Sequence, residues 1–169
     1  MSTISPTSQP GFFRVYLQLV KEKDLMKAFH HQLASIAQLL PSVSETKSLF
    51  AYAPGKWTLR EMLQHIIDAE RIFAYRALSF ARKESATLPP FDENSYAEAS
   101  GANSRSWESL CAEFNAVRKA NLFLFESFTP EMLALTGKAG NNSLSVEEVG
   151  FLIIGHFTHH QMIIEERYL

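Results

Sequence analysis

The sequence predicts an all-α fold: a four-helix bundle with a long crossover connection between helices two and three. Three observations carry this expectation. Apolar residues recur at helical spacing in four long stretches, two of those stretches open with a capping box, and no stretch alternates as a half-buried strand must. A chain of 169 residues that is 46% hydrophobic has enough apolar surface to bury a core as one domain. That domain is expected over residues 13–169, after a lead-in at 1–12.

The lead-in begins MSTISPTSQPG, rich in Ser, Thr and Pro, and reads as frayed chain. From Phe13 to Leu40, Val15, Leu19, Met26, Phe29, Leu33, Ile36 and Leu40 keep helical spacing, and Pro41 is expected to end this first helix. His30 and His31 are neighbours on it and point about 100° apart, so both are read as surface or boundary residues. After the Pro54-Gly55 turn, Thr58 and Glu61 form a capping box that starts helix two, which runs to about Arg82. His65 lies on the margin of its apolar face, beside Met62, Ala69 and Ile72.

The segment from Glu84 to about Arg105 contains Pro89-Pro90 and Gly101 and is expected as a long connection, either a strap or a cover over a site. Helix three spans roughly Ser106 to Phe128. Cys111 sits on its apolar stripe and is read as a buried thiol rather than a nucleophile. Thr129-Pro130 predicts a short helical turn over Glu131 to Leu135, and Gly137 to Asn142 a turn-rich break. Ser145 and Glu148 form the second capping box, opening helix four from about Val146 to Tyr168.

Charge and cysteine content narrow the function. A formal net charge of −2 provides no basic surplus for nucleic acid. One cysteine excludes an internal disulfide and a Cys-rich zinc site and fits a reducing compartment. With no apolar run near the roughly 20 residues of a spanning helix, and no signal-peptide pattern, the expectation is a cytoplasmic protein without a membrane partner.

The chemistry lies in the histidines. His156 and His160 are four apart on helix four and face one way, into a stripe of Val149, Leu152, Ile153, Ile163 and Ile164. Two imidazoles unpaired in an apolar stripe are costly, and a shared cation relieves both. His65 is the expected third ligand. Three neutral imidazoles suit one divalent ion and leave positions open for water, a form typical of catalytic sites. His159 points about 80° off the stripe and is read as a rim residue. Asp68 is a candidate acceptor for the second ring nitrogen of His65. Glu147, Glu148, Glu165 and Glu166 are explained by capping and solvation. No phosphate loop, nucleophile elbow or H-E-x-x-H is present, and no catalytic residue is named.

Three segments, KWTLREMLQHIIDAERIFAYRAL, LPPFDENSY and GHFTHHQMIIEERYL, together resemble the DinB/YfiT-like superfamily, in the right order and over about Phe50 to Leu169. The resemblance sets that family's metal triad on His65, His156 and His160. It implies a four-helix bundle with a long crossover, a divalent ion such as nickel or zinc, and frequently a homodimer. Its characterised members include thiol-dependent transferases and isomerases that use bacillithiol, mycothiol or glutathione; others are called hydrolases or damage-inducible proteins. Members often carry Arg-Gly-Gln after the final histidine, where Gln161-Met162-Ile163 stand here, which weakens the thiol-transfer reading. The expectation is a metal-dependent enzyme in which the ion activates water or a low-molecular-weight thiol toward a small-molecule substrate. The alternative is a non-enzymatic metal-binding or stress-response helical module.

Overall fold

The computed structural model describes residues 12–169, so the expected lead-in lies, but for Phe12, outside the described residues. The chain is a bundle of four long helices, as the periodicity predicts, but the first expected helix is two. Helix α1 covers Phe12–Gln18 and α2 covers Leu25–Ser42. The periodic stretch breaks because side-chain oxygens capture amides that a continuous helix would use. Glu22 Oε1 accepts from the amides of Lys23 at 2.8 Å and Asp24 at 3.0 Å, and Asp24 Oδ1 caps α2 through the amide of Lys27 at 2.9 Å. Pro41 does not end α2. It sits in the last turn, where its missing N–H forfeits a single helical bond, and the helix closes one residue later.

Helix α3 (Leu59–Ala81) starts at the predicted capping box: Thr58 Oγ1 accepts from the Glu61 amide at 3.1 Å, and Glu61 Oε2 accepts from the Thr58 amide at 2.8 Å. The connection after it is partly helical. It holds α4 (Glu93–Ala99), capped by Asp92, and a 3-10 turn at Ala102–Ser104. Buried Arg60 fastens its far end by donating to the carbonyls of Asn103 and Arg105. Then come α5 (Trp107–Glu126), α6 (Pro130–Leu133) and α7 (Val146–Arg167), the last opening at the Ser145–Glu148 box. The expected break at 137–142 is instead a hairpin, β1 (Thr136–Ala139) paired antiparallel with β2 (Asn142–Ser145) about a Gly140-Asn141 turn. Gly140 takes φ 55°, which glycine tolerates. These strands show no alternation in sequence because only Ala139 and Leu144 are buried.

Helices α2, α3, α5 and α7 share two apolar clusters. One holds Phe29, Phe73, Phe80, Phe125 and Val149; the other holds Ile36, Leu63, Phe114, Phe157 and Tyr168. A polar layer lies between them and draws on all four helices: Gln32, Glu70, Arg118 with Asn121, and Thr158. Arg118 Nε donates to both Glu70 oxygens at 3.0 and 3.1 Å, Asn121 donates to Glu70 at 2.9 Å, and Gln32 donates to the Ile154 carbonyl at 2.9 Å and to Thr158 at 3.0 Å. Helix α7 packs on α1, α2 and α3. Its approach to α1 is close: a Cβ on Gly155 would lie 2.1 Å from the Tyr16 carbonyl oxygen. Among the described residues no helix is long and apolar enough to cross a membrane.

Candidate metal centre

Helices α3 and α7 face each other with three histidines between them. His65, His156 and His160 are all buried, and their ligand atoms lie within 4.8 Å of one another. The Nε2 atom of His156 is 3.0 Å from that of His65 and 3.1 Å from that of His160. A ring nitrogen carries either one proton or one lone pair, so His156 Nε2 can make a proper hydrogen bond with only one of these neighbours. The other contact is then left without a hydrogen bond of its own. One cation between the three rings accepts all three lone pairs. Tetrahedral zinc–nitrogen bonds of about 2.0–2.1 Å put ligand nitrogens roughly 3.3 Å apart, close to the two spacings at His156.

Burial holds the rings in the neutral form that ligation requires. It lowers the pKa of His65 to about 4, with a smaller contribution from His159. The pKa values of His156 and His160 fall well below the ordinary histidine value, through burial first and then the neighbouring histidines. The three Nδ1 atoms, also buried, have no hydrogen-bond partner among the described residues. The sequence offered Asp68 as an acceptor for one of them. Instead Asp68 Oδ1 accepts from Gln64 Nε2 at 2.9 Å, one turn earlier on the outer margin of α3.

The cluster opens on a cavity of about 380 Å³ with largely aromatic walls. Trp57 packs on His65 at 4.9 Å between ring centroids and is fixed from behind by the Tyr168 hydroxyl, which donates to the Trp57 carbonyl at 2.6 Å. Tyr16 and Phe73 meet His156 edge-on at 5.2 and 5.7 Å. His159 is half-buried on the rim, as its angle predicts, with its ring 5.2 Å from that of Tyr16. The crossover contributes Glu93, a carboxylate only 7% exposed, to the same cavity. Burial, and then the charge of Glu93, raise the Tyr16 pKa well above the usual phenol range.

Other candidates lie elsewhere. His30 and His31 are exposed, near Glu126 and Glu22. Cys111 is half-buried in a groove between α2 and α5, away from the histidines, and burial pushes its thiol up to about 11. Glu148 caps α7 and Glu165 accepts from Gln161. Sequence reasoning missed Tyr16 and Glu93. An acidic residue in the first turn of a helix reads as complementing the helix dipole, and only the fold of the crossover turns it inward.

The model of the DinB superfamily matches residues 28–164. A protein of Bacillus pumilus (strain SAFR-032) named "Putative metal-dependent hydrolase" is 25% identical over 154 residues, covering 86% of each chain. The solved structure of YfiT from Bacillus subtilis, described as a probable metal-dependent hydrolase with an unusual four-helix bundle topology, matches with a TM-score of 0.71 at 17% identity. That match covers 98% of this chain and 89% of YfiT. The family match takes in most of α2 and all of α3 and α5, together with the three clustered histidines on α3 and α7, and the chain belongs to the DinB superfamily.

Proposed function

We propose that this protein is a metal-dependent enzyme in which His65, His156 and His160 hold one divalent ion, zinc or nickel, through their Nε2 atoms. The observation that carries the reading is the convergence of three buried nitrogens that cannot satisfy one another. Such an ion, when bound, would supply Lewis-acid chemistry, polarising an electrophile and favouring deprotonation of a nucleophile. The chain's own groups do the rest. The aromatic walls exclude water and hold the apolar body of a small substrate, and Trp57 and Phe73 keep the imidazoles in place by packing. Glu93 takes the proton of the nucleophile at a carboxylate oxygen and returns it to the leaving group. The hydrolase names of the two relatives favour water as the nucleophile over a thiol such as bacillithiol or glutathione.

Elemental analysis of the untagged protein tests the site. Near one equivalent of a first-row metal is expected in the wild type and its loss in His65→Ala and His160→Ala; unchanged metal in the variants overturns the triad. Assaying the loaded form on aryl esters, and on an electrophile with and without added thiol, divides hydrolysis from thiol transfer. A homodimer belongs to the same reading, and sedimentation at twice the chain mass of 19.1 kDa supports it.

A further inference from the structure

Arg76 is buried in a way the histidine site does not use. Its side chain, on α3, is 3% exposed, and among the described residues it makes one hydrogen bond, from Nη2 to the Pro89 carbonyl at 3.0 Å. Every Asp and Glu of the chain lies among the described residues, and none forms an ion pair with it. The other two deeply buried arginines are treated differently: Arg118 has Glu70 and Arg60 has Glu45. A guanidinium has five N–H donors and stays charged, so removing it from water without a counter-charge is costly. The rings of Phe73 and Phe91, 5.8 and 5.9 Å from its Cζ, satisfy the faces of the cation but none of its in-plane donors.

The guanidinium borders a small cavity of about 50 Å³, walled by Phe13, Pro90, Phe91 and the hairpin turn Gly140-Asn141-Asn142. A single water needs roughly 10–15 Å³, so the space is larger than one water requires and suits a compact polar group. The planar fork of an arginine matches two oxygens of a carboxylate or phosphate. We propose that Arg76 and this cavity form a binding site for a small oxyanion, of carboxylate or phosphate type, distinct from the histidine cluster. The anion supplies the counter-charge that the fold withholds. Phe91 walls both this cavity and the one at the histidines, so the anion is either free or the charged end of a molecule that reaches past Phe91. The inference does not depend on a metal being bound.

Titration of ¹⁵N-labelled protein with acetate, inorganic phosphate and phenyl phosphate at constant ionic strength tests it, read at the Arg76 Nε–Hε resonance. A saturable shift is expected with at least one of the three, and Arg76→Lys, followed by calorimetry, should bind it at least tenfold more weakly. Phenyl phosphate binding tenfold tighter than phosphate, with that margin lost in Phe91→Ala, supports the site with the anion as the end of a larger molecule. Equal affinities support it with a free anion. No saturable shift with any of the three, or unchanged affinity in Arg76→Lys, overturns the proposal. If Arg76→Lys does not fold, the wild-type resonance decides alone.

Discussion

Glu70 and Arg118 face each other at the centre of the bundle, each with its side chain 1% exposed, in a pair that joins α3 to α5. Gln32, Asn121 and the rings of Phe29, Phe114 and Phe157 enclose them. Removing one partner strands a buried charge. Arg118→Met is therefore expected to lower stability by about 3–5 kcal/mol. The double variant Glu70→Leu/Arg118→Met should lose clearly less than the sum of the two single variants. Urea denaturation of the four proteins of this cycle measures both; additive losses would mean the pair is not coupled.

The contact between Gly155 and Tyr16 separates two glycines on one helix. A methyl group at 155 meets backbone, the Tyr16 carbonyl, whereas at 150 it meets the flexible tips of Leu25 and the edge of Phe125, at 2.7–2.9 Å. Gly155→Ala is expected to cost roughly 1–3 kcal/mol by overpacking. Gly150→Ala should cost less: alanine gains about 1 kcal/mol of helix propensity at both positions, but only at 150 can the opposing side-chain tips shift. Equal losses in thermal melts would contradict this ordering.

Acid should weaken the metal-free protein through its buried histidines. In the unfolded chain they titrate near 6.5, whereas folding lowers the His65 value to about 4 and holds those of His156 and His160 well below the ordinary histidine value. Between these values the unfolded chain binds protons that the native state refuses. The neutral histidines therefore leave stability unaffected above pH 6.5, and stability is lost as pH falls from there toward 4. Denaturation of chelated protein across this range should show that decline, and a flat profile would argue against it. Bound metal should raise the melting temperature at pH 7.5 by mass action, with the gap closing on acidification as protons compete for the ligands.

Glu93 is assigned to proton transfer, not to holding the ion. Glu93→Gln should keep the metal content of the wild type and lose about 10²–10⁴-fold in the rate of the loaded form on its best aryl ester. Metal content and initial rates on the same preparations check this. Loss of metal would make Glu93 part of the ion's support; an unchanged rate would remove it from the chemistry.

Much of the site was legible because it follows helix geometry. His156 and His160 share a face by the turn of an α-helix alone, and His65 was singled out by its place on an apolar margin. The capping boxes at Thr58 and Ser145 were readable since each lies within four residues of chain. What escaped depends on contacts between distant segments. Nothing in the spacing of Val15, Leu19 and Met26 reveals that Glu22 and Asp24 divide the first helix, because the pattern of apolar residues continues across the break. The hairpin escaped for the opposite reason: its strands are short and bury little. Glu93 and Tyr16 reach the cavity through the path of the crossover and the seat of α1 against Gly155, and neither is written in a local motif.

Helix α7 follows in the chain every element on which it packs, and it brings two of the three clustered histidines. During synthesis, then, α1, α2 and α3 leave the ribosome before the surface they close upon exists, and His65 has no companion until His156 has been added, with the cluster complete only at His160. A nascent or prematurely terminated chain has apolar faces to show a chaperone or protease but no triad with which to compete for metal. If the triad holds an ion, its uptake would wait for α7, so metal content would report the docking of that helix onto the rest of the bundle.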